Sequence, residues 1–210
     1  MSKDELRTWK EFFVYKWNAF KKSRSLYMSE VYADNMVLQS NIPLKIRGHA
    51  LPGDHIIVSL GDAENETFTG SDGCWCVVLP AFEASYKTYI LRVKNKRHQL
   101  VFRNVMIGEV WLITGVSVMV MRMKEAVTYP EELKSLDKRN TGVIRFYKKK
   151  ELVRNDLNVW PAVYCRNINK YRMLNFTSWQ TVQKENLYNV PAYAYYLQKD
   201  YPNHWMYLLV

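Results

Sequence analysis

Three observations predict an α+β chain in two parts, a small antiparallel β-sandwich followed by an α/β portion. The first is a series of short apolar runs between residues 36 and 104, rich in β-branched and aromatic side chains and punctuated by turn residues at intervals of about ten. The second is Val105-Met-Ile-Gly-Glu-Val-Trp-Leu-Ile113, a nearly continuous apolar run of the kind that forms a strand buried on both faces. The third lies immediately after that run: a glycine turn, a serine and a stretch of helix formers.

In order along the chain, residues 1–25 predict an amphipathic N-terminal helix. Leu6, Trp9, Phe12, Phe13, Trp17 and Phe20 recur at spacings of three and four. Residues 26–104 make the expected β-sandwich domain. Its strands are predicted over Leu44–Arg47, Ile56–Leu60, Trp75–Leu79, Tyr89–Val93 and Leu100–Phe102, separated by Pro52-Gly53-Asp54, Gly61-Asp62 and Asp72-Gly73. Glu66-Thr-Phe-Thr-Gly70 and the Asp72-Gly73 pair together read as a hairpin leading into the Trp75 strand.

Residues 105–210 form the second part. Here the apolar run ends in Thr114-Gly115-Val116-Ser117, and Val118–Ala126 is expected to be helical. A strand that turns through glycine and serine into a helix holds the hydroxyl at the strand's carboxyl end, beside the free amides of the helix. Pro130-Glu-Glu-Leu starts another helix, and Gly142-Val-Ile-Arg-Phe-Tyr147 reads as a second buried strand. Lys148–Arg172 has little periodicity. Helical spacing returns towards Asp200, with the helix beginning near Pro191 and Asn189 as a candidate N-cap. The apolar end, Trp205–Val210, predicts one more strand.

Composition narrows the function classes. The chain of 210 residues is 48% hydrophobic and 24% charged, as a globular protein is, and carries a formal +10. The excess is local: residues 26–104 hold eight bases and eight acids, whereas 134–172 hold eleven bases and three acids. This basic insertion is read as solvated surface, and no helix-turn-helix, zinc or RNP motif accompanies it, so no nucleic-acid partner is expected. No apolar stretch approaches the ~18 residues of a transmembrane helix, and the start lacks the pattern of a signal peptide. Cys74, Cys76 and Cys165 are too few for a four-ligand zinc site and odd in number for a disulfide framework. Cys74 and Cys76 would share one strand face and are read as small apolar residues of the sandwich. No metal and no cofactor is expected.

Six motifs, in order, resemble those of sialate O-acetylesterase-type proteins, which are similar to the SGNH (GDSL-like) hydrolases. They are Asp34-Asn-Met-Val-Leu-Gln39; Pro43-Leu-Lys-Ile-Arg-Gly48 with Ala50-Leu-Pro-Gly-Asp54; Asp72-Gly-Cys-Trp75 with Leu79-Pro80; Asn104-Val-Met-Ile-Gly-Glu-Val-Trp-Leu112; Thr114-Gly-Val-Ser-Val-Met119; and Thr177-Ser-Trp-Gln180 with Asn189-Val-Pro-Ala-Tyr-Ala-Tyr-Tyr196. The resemblance implies that the second part is an incomplete α/β/α flavodoxin-like domain. It also implies a serine esterase acting on acetylated sugars such as sialic acids. Ser117 matches the family's nucleophile, and Gly115 matches the glycine of its loop. Ser40 stands where the family has arginine, Val116 where it has glutamine and Val118 where it has asparagine.

A serine needs a base to take its proton and donors to hold the oxyanion. The family's later oxyanion glycine and asparagine and its final Asp-x-x-His have no match within 105–210. His204 follows Asp200 by four positions rather than three, and His49, His55 and His98 fall in the sandwich. Two further readings stay open. One is a non-catalytic sandwich that binds carbohydrate or a partner through aromatics such as Tyr86, Tyr89 and Trp75. The other is an anionic polymer held by 134–172. The resemblance carries no single location: the family is often secreted, periplasmic or lysosomal.

Overall fold

The computed structural model describes residues 26–29, 31–112, 121–136, 144–147 and 178–200. The predicted helix of 1–25, most of the basic insertion, and the apolar end 205–210 lie outside them. Among the described residues the chain forms two compact units. One comprises 26–29, 42–81 and 89–102; the other comprises 31–41, 82–88, 103–112, 121–136, 144–147 and 178–200.

In the first unit, β1 (Tyr27–Met28), β3 (Leu44–His49) and β6 (Cys74–Leu79) form an antiparallel sheet in the order β1-β3-β6. β3 and β6 pair over six positions, from Leu44 opposite Leu79 to His49 opposite Cys74. Alternation of side chains buries Leu44, Ile46, Trp75, Val77 and Leu79 and turns Lys45, Arg47, Cys74 and Cys76 outward. β4 (His55–Leu60) pairs with β5 (Ala63–Phe68) on one side and with β7 (Ser85–Lys94) on the other. It buries Ile56, Val58 and Leu60 completely, and β7 adds Leu91 and Val93. Each such side chain contributes roughly 1.5–3 kcal/mol by leaving water, which is why the alternation fixes the register. Gly48 is required here by space: a Cβ at this position would lie 2.5 Å from the Tyr27 carbonyl oxygen and closer still to the Trp75 indole.

The five predicted strands are present, with two corrections. Asp72-Gly73 does make a tight turn, with Gly73 at φ +78° and its amide donating to the Gly70 carbonyl. That turn does not join a hairpin, however. β5 pairs with β4 while β6 pairs with β3, so the chain changes sheets across it. Polar β5, with Glu64 and Glu66 exposed, is an edge strand whose charges discourage further pairing. The second correction concerns the cysteines, which are exposed rather than packed inside. Trp75 between them is the buried residue, at 3% exposure.

β8 (Gln99–Gly108) takes in only the first four residues of the apolar run that begins at Val105; beyond it Trp111 and Leu112 are exposed rather than buried in a strand. With β2 (Val37–Gln39) it completes a curled five-stranded sheet in the order β2-β8-β7-β4-β5, and both β7 and β8 pass from one unit into the other. β2 runs parallel to β8, which makes the sheet mixed rather than purely antiparallel. In the second unit, β9 (Arg145–Tyr147) pairs antiparallel with β10 (Trp179–Thr181). Among the described residues the two helices are α1 (Tyr129–Leu136) and α2 (Ala192–Asp200), with 3-10 turns at Met123–Glu125 and Leu187–Asn189. α1 is the helix expected at Pro130, and Glu131 and Glu132 sit in its first turn, where the helix dipole favours acids. α2 starts beside Pro191 as expected, but Asn189 belongs to the preceding 3-10 turn. The fold is therefore mostly β with few helices, and no flavodoxin-like α/β/α layering is present among the described residues. No helix among them is long and apolar enough to cross a membrane.

Candidate functional site

Ser117 and Gly115 fall within 113–120, outside the described residues. What is described is the frame on both sides of that stretch. On the entering side, β2 and β8 run in register, with Val37 opposite Met106 and Gln39 opposite Gly108. The Ser40 amide donates to the Gly108 carbonyl at 2.8 Å, and the Val110 amide donates to the Gln39 side-chain oxygen at 2.9 Å. Gln39 thus continues the hydrogen bonding of β8 after the strand has ended.

The other residues of the Asp34–Gln39 motif tie the same strand further back. The Arg103 amide donates to Asp34 Oδ1 at 2.7 Å, and the Asn35 amide donates to the Arg103 carbonyl at 3.0 Å. Asn35 and Asn104 both take positive φ, +66° and +55°, a region asparagine tolerates better than most residues. Their side chains meet: Asn104 Nδ2 donates to Asn35 Oδ1 at 2.6 Å. Arg145 completes the cluster from β9. One guanidinium nitrogen donates to the carbonyls of Asn104 and, at 3.4 Å, Met36; the other reaches Asn104 Oδ1 at 2.9 Å. Arg145 is 2% exposed, and burial pushes its guanidinium down to about 10.

On the leaving side, the Ala192 amide donates to the Met121 carbonyl and the Met123 amide donates to the Val190 carbonyl, both at 2.8 Å. Arg122 and Pro191 form an antiparallel bridge between these bonds. The stretch expected to be helical therefore continues as an extended residue and a 3-10 turn from Met121 onward. Met123, Leu136, Phe146, Val182, Leu187 and Val190 pack as an apolar cluster beneath it. The buried Glu132 carboxylate takes a hydrogen bond from the Tyr195 hydroxyl at 3.0 Å. Trp179 donates its indole N–H to the Val31 carbonyl at 2.8 Å, which ties it to the chain just before the Asp34 motif.

Two of the six motifs, Asp34–Gln39 and Asn104–Leu112, thus bond the chain next to 113–120, together with the Asn189–Tyr196 part of the last motif. Sequence reading missed Arg145, which it counted among the bases of the 134–172 insertion. The available signal was its place inside the apolar run Val143-Ile-Arg-Phe-Tyr147, since a charge in a strand buried on both faces must find acceptors. Of the aromatics considered for a binding face, Trp75 is buried and Tyr86 is 62% exposed. His49, His55 and His98 lie at strand ends or in a turn of the first unit, and His204 is outside the described residues. No group of three or more His, Cys, Asp or Glu side chains able to hold a metal exists among the described residues.

No protein-family model and no curated protein matches the chain. Solved structures do match. One is the crystal structure of a carbohydrate acetylesterase from Xanthomonas citri, with a TM-score of 0.68, 22% identity, and coverage of 88% of this chain and 40% of that one. The likeness is one of fold. The chain spans about two fifths of that enzyme's length.

Proposed function

We propose that this chain belongs with serine esterases that remove O-acetyl groups from sugars, with Ser117 as the nucleophile. The observation that carries the reading is the fold likeness to a carbohydrate acetylesterase over 88% of the chain. The ordered motifs, including Thr114-Gly-Val-Ser117, support it independently. In this reading 105–210 is part of an SGNH-type domain, preceded by the sandwich of 26–104, and the substrate is an acetylated sialic acid or a related acetylated sugar.

The chemistry is set by the ester. The Ser117 hydroxyl oxygen attacks the acetyl carbonyl carbon as a base takes its proton, and the carbonyl oxygen becomes an oxyanion. The backbone amides of Gly115 and Ser117 are the donors assigned to that oxyanion, in the position where preorganised N–H groups are most effective. Collapse expels the sugar alkoxide, which takes up a proton, and leaves an acetyl-serine. Water then attacks the acetyl carbon, releases acetate and restores the hydroxyl.

The test is acetate release from O-acetylated sialic acid and from other acetylated sugars. The expected result is hydrolysis that Ser117→Ala reduces by a factor on the order of 10⁴ or more. Hydrolysis unchanged by Ser117→Ala, or none by the unaltered protein, contradicts the reading. Binding of the same sugars, unaffected by Ser117→Ala and without acetate release, would point to the non-catalytic alternative.

A further inference from the structure

The outer face of the β1-β3-β6 sheet gathers groups that the esterase reading does not use. Cys74 and Cys76 stand two apart on β6, and both are exposed on that face. β3 brings His49 directly opposite Cys74, and the Cys74 sulfur lies 3.6 Å from His49 Nδ1. These residues are 25 positions apart, so sequence spacing could not pair them. Asp72 lies in the preceding turn, where its carboxylate accepts the Cys74 amide at 2.9 Å. Arg47 is opposite Cys76.

Two residues at i and i+2 on a strand are about 7 Å apart, at or beyond the limit of a strain-free disulfide. The two thiols are thus side by side but unsuited to closing on each other. A soft ion inserted between them removes that difficulty, because two metal–sulfur bonds span more distance than one S–S bond. Zinc would need about four ligands. No group of three donors is assembled among the described residues, so the ion must be content with few. Monovalent d¹⁰ copper meets both conditions, since thiolates are its preferred ligands.

We propose that Cys74 and Cys76 form a two-thiolate site for Cu(I) on the outer face of the sheet. On binding, two Cu–S bonds form and each thiol releases its proton to solvent; the copper stays Cu(I) throughout. The bis-thiolate complex carries one negative charge, and Arg47, across the strand from Cys76, is placed to offset it. His49 is a positioning residue that holds the Cys74 sulfur by its ring nitrogen.

The experiment uses the full chain with Cys165→Ser, so that only these two thiols remain. Under anaerobic reducing conditions, Cu(I) is supplied as its bicinchoninate complex, and its withdrawal is followed by loss of that complex's colour. One equivalent should be withdrawn per chain. Cys74→Ser and Cys76→Ser should each weaken retention by roughly 100-fold or more, with circular dichroism unchanged because both side chains are exposed. The proposal is overturned if no copper is withdrawn, if the doubly substituted chain withdraws as much, or if only one of the two cysteines matters.

Discussion

Arg145 carries a positive charge into a place where its described acceptors are all neutral: the carbonyls of Asn104 and Met36 and the side-chain oxygen of Asn104. Removing it takes a charged donor from the exposed Asn104 and from the Met36 carbonyl, which still accepts the Met106 amide at 3.0 Å; a hydrogen bond to a charged group contributes about 1.5–3 kcal/mol. Relief of the buried charge offsets part of that cost. Arg145→Met is therefore expected to lower stability by about 2 kcal/mol, read as a shift in the urea midpoint at unchanged slope. Arg145→Lys should recover little, because an ammonium cannot reproduce the planar fork that bonds two groups at once. A midpoint within error of the unaltered protein would contradict this role. At this scale the sequence is legible only where chemistry is local. Asn35 and Asn104 are residues that tolerate positive φ, but their meeting, 69 positions apart, comes from the parallel pairing of β2 with β8.

At the scale of elements, alternation was a sufficient guide wherever one strand face is buried, as in β3, β4 and β6. It failed for β5, whose Ala-Glu-Asn-Glu-Thr-Phe sequence lacks an apolar face because an edge strand need not bury one. It failed again at Asp72-Gly73, since a favoured turn pair fixes the reversal of the chain and not the sheet that receives it. Asp72 does hold this turn, and its ionisation sets a pH dependence. Its carboxyl is kept below the ordinary value of 3.8, first by the hydrogen bond from the Cys74 amide. A lowered folded-state value means that the stabilisation is complete above pH 3.8 and is lost as the pH falls through the depressed value. Asp72→Ala should therefore be less stable than the unaltered protein at pH 6, and the gap should narrow below pH 3.8. Parallel thermal melts across that range check it; a gap that stays constant with pH would contradict it.

Over the whole molecule, only Val105–Gly108 of the expected buried strand is buried strand, and it continues β8 rather than starting a new one; Trp111 and Leu112 are exposed. Contiguity of one strand across two units leaves no composition break to read. The expectation of an α/β/α layer came from the motifs' resemblance rather than from residue pattern, and the described residues form strands and short helices instead. The motifs themselves have a structural role. Asp34–Gln39, Asn104–Leu112 and Asn189–Tyr196 bond the backbone on either side of 113–120. The most direct test of Ser117 as nucleophile is covalent: treat the full chain with an active-serine fluorophosphonate and map the adduct by peptide mass. One adduct, located on Ser117 and absent from Ser117→Ala, is the predicted result. A chain that remains unlabelled, or is labelled at another residue, would contradict it.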